Sequence, residues 1–217
     1  MKKVLSFLKK LEKNNDRDWF NEHKDEFEEA KTEFTGFVEK LIAGISRFDP
    51  ELTGTDAKNC LFRIYRDVRF SKDKKPYKIN FGASINPGGR KSPVPGYYIH
   101  IQPGASFLAG GKYMPSSAEL LAIRNAIVKD PKTIRKISNA KLFKEYFGEI
   151  SGERLKTAPK GFDKDHEMIE YLQLKSFIAY QDKLSQKTIL DPKFDKYAVK
   201  VFKAMKPLND FLREAIK

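Results

Sequence analysis

The sequence predicts an α+β domain, in which an antiparallel meander sheet is packed by helices from both ends of the chain. Apolar residues recur with helical spacing in the first third, alternate with polar residues in the middle third, and return to helical spacing afterwards. A chain of 217 residues, of which 40% are hydrophobic, is long enough to bury its own core as one domain over residues 1–217.

The N-terminal helices are expected over about residues 2–48. A cap at Asn15 or Asp16 would begin a long helix at Trp19, and an aromatic or leucine residue then recurs at every seventh position until Phe48. This spacing is typical of a helix that buries one face in a core.

The sheet is expected in the middle third, from about residue 60 to residue 113. Turns rich in proline and glycine separate about four stretches that alternate between apolar and polar residues, which is typical of antiparallel strands with short connections. The four stretches are 62–70, 79–85, 97–102 and 106–113. A further candidate strand covers residues 175–180.

The C-terminal helices are expected over about residues 116–217. Ser116 opens a capping-box pattern, and Asp130 precedes a proline at the start of a second helix. A third helix is expected over 140–147, followed later by a terminal helix that Pro207 breaks or kinks.

The net charge of +13 allows two interpretations. A basic surface can bind nucleic acid or another anionic surface, and it can equally be a lysine-coated surface without a specific partner. The single cysteine, Cys60, excludes an intramolecular disulfide and is expected to be a buried structural thiol, which fits a reducing compartment. No segment approaches the roughly 20 apolar residues of a membrane helix, so we expect a cytoplasmic protein without membrane contact.

The most informative segment reads RIYRDVRFSKDKKPYK and begins at Arg63. Three arginines, Arg63, Arg66 and Arg69, lie within seven residues, and a guanidinium binds carboxylate or phosphate through two parallel hydrogen bonds. The lysine-rich turn that follows would bring Lys72 or Lys78 to the same anion as point charges. The glycine pattern of a nucleotide-triphosphate loop is missing from it. The segment therefore predicts a site for a small anion.

Strand alternation assigns the surrounding residues to two faces of the predicted sheet. The polar face collects Arg63, Tyr65, Asp67, Arg69, Asn80, Gly82, Ser84, Tyr98, His100 and Gln102. The apolar face collects Phe62, Ile64, Val68 and Phe70, together with Arg66. The small residues Gly82 and Ser84 would leave space for a ligand above the sheet. The polar face is either this ligand site or the solvated side of a half-buried sheet.

The chemistry of these side chains indicates their roles in such a site. Arg63 and Arg69 are expected to hold the anion, and Tyr65, Tyr98 and Gln102 to orient it. The candidates for proton transfer are Asp67, His100 and His166.

Arg66 and His166 each have a competing structural explanation. Arg66, placed among apolar neighbours, is expected to brace the fold, paired with a carboxylate of a covering helix or turned outwards by a bulge. His166 follows Asp165 at the expected N-terminus of a helix, where it could bind an anion or act as an acid or base. Alternatively Asp165 caps that helix and His166 is simply exposed.

The arginine-rich segment resembles the most specific motif of a widespread microbial and fungal family of uncharacterised proteins, known only as a domain of unknown function. Four further stretches carry the resemblance: NDRDWF, PGYYIHIQP, GGKYMPS and LKTAPKGFDKDH. The resemblance implies one full-length domain, with no established reaction, cofactor or catalytic residue. The family usually has proline after the histidine that matches His166, whereas this chain has Glu167, a difference that concerns helix capping more than chemistry.

Two alternatives to small-anion binding stay open. A nucleic-acid-binding module would use a lysine stripe on the terminal helix, formed by Lys193, Lys196, Lys200 and Lys203. A structural or interaction protein would use the arginines only to brace its fold. Three histidines without closely spaced carboxylates support a metal site poorly. No cofactor is implied, and neither a reaction nor an oligomeric state follows from the sequence.

Overall fold

The computed structural model describes residues 1–182 and 184–217 and has the predicted α+β architecture. Its strands are β1 (Phe81–Ile85), β2 (Gly96–Ile101), β3 (Phe107–Lys112), β4 (Ile150–Ser151) and β5 (Phe177–Gln181). They form one antiparallel sheet in the order β1–β2–β3–β5–β4, which helices flank. The strands expected over 79–85, 97–102, 106–113 and 175–180 are confirmed as β1, β2, β3 and β5.

Along the chain, helices precede β1 and follow β3, as the sequence predicts. Before the sheet lie α1 (Lys2–Lys13), α2 (Arg17–Glu22), α3 (Lys24–Ile45), a short 3₁₀ helix (Pro50–Leu52) and α4 (Ala57–Cys60). After β3 come α5 (Ser117–Lys129), α6 (Pro131–Asn139), α7 (Lys141–Phe147), α8 (Ile169–Leu172), α9 (Gln186–Leu190) and α10 (Phe194–Ala215).

The described chain divides into two compact units. The first comprises Met1–Ser92, Tyr98–Leu108 and Asp182–Val199, and the second comprises Pro93–Tyr97, Ala109–Gln181 and Lys200–Lys217. The single domain expected over residues 1–217 stays a prediction.

An aromatic cluster forms the core of the first unit. The Phe81 ring of β1 lies 6.5 Å from Phe7 of α1, 6.1 Å from Phe27 and 5.4 Å from Phe34 of α3, measured between ring centroids. Aromatic pairs at these separations add to the free energy that burial of their apolar surface already contributes. The phenylalanines that recur at helical spacing are therefore core residues, as expected.

The long helix expected from Trp19 to Phe48 is interrupted at His23. The side chain of Asp16 caps α2 by accepting a hydrogen bond from the Trp19 N–H at 2.9 Å, which confirms one of the two expected caps. His23 then leaves the helical dihedral region, with φ −111° and ψ 24°. Its ring stacks on Trp19 at 4.1 Å, and its Nδ1 lies 2.8 Å from the Trp19 carbonyl oxygen. His23 thus has a structural role at the junction.

The strand expected over 62–70 is wrong. The described residues there form only two isolated β-bridges, Leu61 with Ala83 and Tyr65 with Tyr77. The chain between Tyr65 and Tyr77 forms a loop. Side-chain hydrogen bonds within that loop take the place of a strand ladder. The predicted faces are also wrong in part: Ile64 is buried, but Phe62 is 41% exposed and Phe70 is 96% exposed.

The helix caps predicted in the second unit are confirmed. Ser116 Oγ accepts from the Glu119 N–H at 3.3 Å, and Glu119 Oε2 accepts from the Ser116 N–H at 2.8 Å, so a capping box begins α5. Asp130 Oδ1 accepts from the Thr133 N–H at 3.1 Å and begins α6. The terminal helix α10 does not end at Pro207, because proline removes only one intrahelical hydrogen bond and the helix stays buried on both sides of it.

A buried arginine holds the end of α8 in the second unit. Arg124 is 8% exposed, and its Nε and Nη2 donate to the carbonyl oxygens of Leu172 at 2.7 Å and Leu174 at 3.2 Å. We expect Arg124→Met to lower the free energy of unfolding by about 2–4 kcal/mol, because it leaves two buried carbonyl groups without donors. Urea denaturation monitored by circular dichroism measures this loss.

Arg135→Met is the matched control, since Arg135 makes an exposed ion pair with Glu167 at 2.9 Å. It should cost less than about 1 kcal/mol. Equal losses in the two variants would contradict the structural role of Arg124.

Candidate functional site

A row of polar side chains lines one side of β2 in the first unit. Tyr98, His100 and Gln102 are half-buried, whereas the residues between them are fully buried. The Tyr98 hydroxyl lies 3.1 Å from His100 Nδ1, and His100 Nε2 lies 3.0 Å from Gln102 Oε1. The structure therefore brings together the three residues that alternation assigned to this strand. We call them the polar row.

The partners of His100 determine its tautomer. Nδ1 faces the Tyr98 hydroxyl and, at 3.4 Å, the amide nitrogen of Asn80, both of which can donate. Nε2 faces the carbonyl oxygen of the Gln102 side chain and must carry the proton. Burial lowers the pKa of His100 and raises the pKa of Tyr98 to about 12, so both groups are neutral at physiological pH.

The space expected above Gly82 is occupied by Tyr98. A Cβ atom at Gly82 would lie 2.8 Å from the Tyr98 hydroxyl oxygen, so glycine makes room for this side chain and not for a ligand. The rings of Phe62 and Phe107 lie 6.0 and 5.7 Å from the Tyr98 ring. The polar row is therefore a wall of packed side chains. The open space for a ligand that was expected above Gly82 is not there, so this part of the prediction is wrong.

Three cationic residues of the first unit interact electrostatically, and one of them, Lys78, lies beside this wall. The ammonium of Lys78 lies 5.6 Å from the centroid of the Phe62 ring and donates to the Arg63 carbonyl oxygen at 3.0 Å. Burial, and then the charges of Arg63 and Arg90, lower the pKa of Lys78. We call Arg63, Lys78 and Arg90 the cationic cluster.

A close backbone contact positions Arg90 in the cationic cluster. Gly89 has φ +85°, and a Cβ atom there would lie 2.9 Å from the carbonyl oxygen of Asn59 at the end of α4. The same oxygen accepts from the Arg90 N–H at 3.0 Å. Glycine is thus required both by the left-handed dihedral and by the approach of the two backbones.

Arg69 and Asp67 pair with each other. Arg69 Nε donates to Asp67 Oδ1 at 3.0 Å and Nη2 donates to Oδ2 at 2.7 Å, a forked ion pair that is exposed to solvent. The hydrogen bonds from Arg69 lower the pKa of Asp67. Arg69 is therefore not a free guanidinium that could hold an anion. Asp67 is paired as well, and it does not have the raised pKa of a general base.

Arg66 is a brace, and its partner comes from the loop that follows it. Nη1 donates to Asp73 Oδ2 at 2.7 Å and to the Lys75 carbonyl oxygen at 3.0 Å, and Nη2 donates to Ser71 Oγ at 3.4 Å. Its side chain is 26% exposed. Neither expected partner arrangement, a helix carboxylate or an outward bulge, is present, because a nearer carboxylate is available within the loop.

Tyr65 and Lys72 lie apart from the polar row. The Tyr65 ring is 6.0 Å from Phe20 and 5.5 Å from Tyr77, so it extends the aromatic core at its edge. Lys72 is exposed on the loop. Among the described residues, neither side chain makes a hydrogen bond or a ring contact with Tyr98, although Tyr65 and Tyr98 were both expected to orient the anion.

His166 lies in the second unit and caps a turn. Its Nδ1 accepts a hydrogen bond from the Met168 N–H at 3.0 Å, just before α8 begins at Ile169. The expected cap, Asp165, instead donates its own N–H to Asp163 Oδ1 at 2.9 Å. His166 therefore has a local structural role through Nδ1, and only Nε2 is left for an acid, base or anion-binding role.

A cavity of about 380 Å³ lies at the Gln102 end of the polar row. It is lined by Leu5, Gln102, Pro103, Gly104, Leu184, Ser185, Gln186 and Ile189. Because none of these described lining residues has a charged side chain, they do not match the anion that the arginine-rich segment predicts.

The remaining candidate residues have simple environments. Cys60 is fully buried, and burial raises its thiol pKa to about 11, so the thiol is an unreactive core group as expected. The four lysines of the predicted stripe, Lys193, Lys196, Lys200 and Lys203, are exposed. Residues 1–182 and 184–217 contain no group of three or more histidine, cysteine, aspartate or glutamate side chains that could hold a metal ion. No helix in that part of the chain has the length and apolarity needed to cross a membrane.

Comparison with known proteins places the chain in a family. A family model described as "Conserved hypothetical protein (DUF2461)" matches residues 3–211. The chain belongs to this family. The expected resemblance to an uncharacterised family is thus confirmed over nearly the full length. No curated protein and no solved structure matches the chain.

The sequence of this DUF2461 chain does not predict two residues of the site, Arg90 and Phe62. Arg90 is an isolated arginine whose charge acts on Lys78, and the packing of the glycine turn on α4 positions its backbone. Strand alternation assigned Phe62 to the apolar face of the sheet. In the structure its ring lies between Lys78 and Tyr98 and contacts both. Two adjacent glycines before Arg90 are the one local signal of a tight backbone approach.

The lowered pKa of His100 predicts a dependence of stability on pH. Burial holds the folded-state pKa below the ordinary 6.5, so the unfolded chain takes up the proton first as the pH falls. Stability should therefore be highest where both states are neutral, fall as the pH drops through 6.5, and level off below the folded-state pKa.

Denaturation of wild type and His100→Gln from about pH 8 to about pH 5 isolates this contribution. The wild type should lose stability relative to the variant over that range, and a nuclear magnetic resonance titration of His100 should give a midpoint below 6.5. A midpoint above that value would show that the folded protein stabilises the imidazolium and would contradict the predicted effect of burial.

Proposed function

We propose that the first unit binds a small anion, a ligand that bears a phosphate or carboxylate group, at the cationic cluster. One arrangement carries the proposal: the partly buried Lys78 ammonium lies 5.6 Å from the Phe62 ring centroid and donates to the Arg63 carbonyl oxygen at 3.0 Å, and its pKa is lowered by burial and then by the charges of Arg63 and Arg90. None of the three makes an ion pair with a carboxylate in the part of the chain that the structure describes.

Electrostatics favours an anion at such a cluster. Burial lowers the pKa of Lys78, and the like charges of Arg63 and Arg90 lower it further, because both effects destabilise the charged form of the ammonium. A bound anion would reverse the sign of this interaction and compensate the desolvation of the ammonium. The other arginines of the segment do not compete, because Arg66 and Arg69 already have carboxylate partners.

A purely structural explanation accounts for only part of the cluster. Lys78 donates to a backbone carbonyl and lies over the Phe62 ring, which are stabilising contacts of the folded protein. Arg90 has one long hydrogen bond from Nη1 to the Asn59 carbonyl oxygen, at 3.5 Å. The exposed guanidinium of Arg63 has no hydrogen-bond acceptor among the described residues.

The charge count favours phosphate over carboxylate as the group that is bound. Two guanidinium groups can each donate two parallel hydrogen bonds, and an ammonium adds a point charge. Three cations match a phosphate dianion better than a single carboxylate. The half-exposed Phe62 ring next to the cluster offers an apolar surface to the organic part of a ligand.

The arrangement supports binding and assigns no reaction. Asp67 is paired with Arg69, and both ring nitrogens of His100 face protein partners. The sequence-based set therefore keeps Arg63 and Lys78 as ligand-binding residues and gains Arg90, while Tyr98 and Gln102 form the adjacent wall.

Thermal unfolding with added inorganic phosphate, sulfate and acetate tests the proposal. Phosphate at about ten times its Kd should raise the free energy of unfolding of the wild type by about 1.4 kcal/mol. The increase should vanish in Arg63→Ala and Arg90→Ala and persist in the control Arg47→Ala, which removes an exposed arginine at the end of α3. A response to phosphate without one to acetate would assign the ligand class.

The structural alternative gives a different result in the same experiment. If the cluster only braced the fold, Arg63→Ala would lower the melting temperature without any anion. The increment produced by phosphate would then be the same in the variant and the wild type, and that result would overturn the proposal.

A further inference from the structure

The loop between Tyr65 and Tyr77 presents a phenylalanine to solvent. Phe70 is 96% exposed, more than any other large hydrophobic residue that the structure describes, with Tyr113 next at 73%. Exposure of an aromatic ring costs free energy that the folded chain does not recover by itself. A ring in this position is accessible to a binding partner.

The loop is built to hold this ring outwards. Its ends are joined by the Tyr65–Tyr77 bridge and by a hydrogen bond from the Arg66 N–H to the Pro76 carbonyl oxygen at 2.9 Å. Inside the loop, Arg66 is bound to Asp73 and Arg69 is bound to Asp67. These contacts restrain the backbone on both sides of Phe70.

The same contacts leave the loop with uncompensated positive charge. Both carboxylates of the loop are already engaged by the two arginines. The lysines that remain are Lys72, Lys74 and Lys75. Lys74 donates to the Val68 carbonyl oxygen at 3.1 Å, and this contact leaves its charge in place. The surface around Phe70 therefore complements an anionic partner.

We propose that this loop binds single-stranded nucleic acid, with a base stacked on Phe70 and backbone phosphates held by Lys72 and Lys75. Aromatic rings interleaved with cations are the arrangement that binds single strands without sequence preference, since every base has a π-face. The Arg69 guanidinium lies 5.9 Å from the Phe70 ring centroid and widens the stacking surface.

The geometry favours a single strand over the other anionic polymers. Bases in a duplex are stacked on each other and offer no face to a ring on a loop. A membrane surface is also less suited, because one exposed phenylalanine buries far less apolar surface than even a single acyl chain, which by itself binds only marginally. The loop residues named here lie outside the cationic cluster, so this inference does not depend on small-anion binding there.

Fluorescence anisotropy with labelled single-stranded DNA and RNA oligonucleotides, on the full chain, tests the inference. Phe70→Ala should weaken binding by roughly 5- to 150-fold, the effect of losing one stacked base. Removing Lys72 and Lys75 together by alanine substitution should reduce the slope of log K against log salt by about 1.4. The Phe70→Trp variant should bind and show fluorescence quenching by the stacked base.

Matched controls separate the loop from the overall charge of the protein. Tyr113→Ala removes another exposed ring, and alanine substitution of both Lys132 and Lys136 removes two exposed lysines of α6. Both controls should bind as the wild type does. Equal losses in controls and loop variants would overturn the inference, as would absence of oligonucleotide binding at low salt. Phe70-dependent sedimentation with phosphatidylserine vesicles, without oligonucleotide binding, would overturn it in favour of a membrane surface.

Discussion

A single backbone hydrogen bond decides which side chains face the candidate site. The Phe62 N–H donates to the Gly82 carbonyl oxygen at 2.9 Å, and Leu61 is paired with Ala83 across the same bridge. Neighbouring residues point to opposite faces, so this register places the Phe62 ring on the side of Tyr98. Lys78 then lies over that ring, and the cationic cluster assembles around it.

The arginines of one short segment differ in whether the loop supplies a carboxylate partner. Arg69 has Asp67 two positions before it, and Arg66 has Asp73 seven positions after it, so both guanidinium groups are neutralised within the loop. The charge of Arg63 contributes to the lowered pKa of Asp67, but Arg63 makes no ion pair with a described carboxylate, so its guanidinium stays available. Local pairing thus removes two of the three arginines from the binding chemistry and gives the loop its shape, while the unpaired cations on either side remain for external anions.

The polar row contributes rigidity to this region more than reactivity. Each ring nitrogen of His100 faces a neighbour, Tyr98 fills the space above Gly82, and burial keeps both side chains neutral. A fully partnered network of this kind fixes its members in one arrangement. It can form a stable wall beside a binding site, and this is the role that its geometry supports.

The sequence by itself determined the fold class, the positions of β1, β2, β3 and β5, the caps at Ser116 and Asp130, and the apolar stripe of α3. These features depend on residues close together in the chain, where periodicity and side-chain capping act directly. The sequence also located the segment that carries the cations and the family to which the chain belongs.

Tertiary structure alone decided the composition of the site. Alternation predicted that Phe62 and Phe70 would be buried, but pairing with β1 is limited to one bridge and the rest of the segment forms a loop. Arg90 joined the cluster through a contact between the Gly89 turn and α4 that no local pattern specifies. Register and loop packing depend on residues that are distant in sequence, and for that reason they appear only in the folded chain.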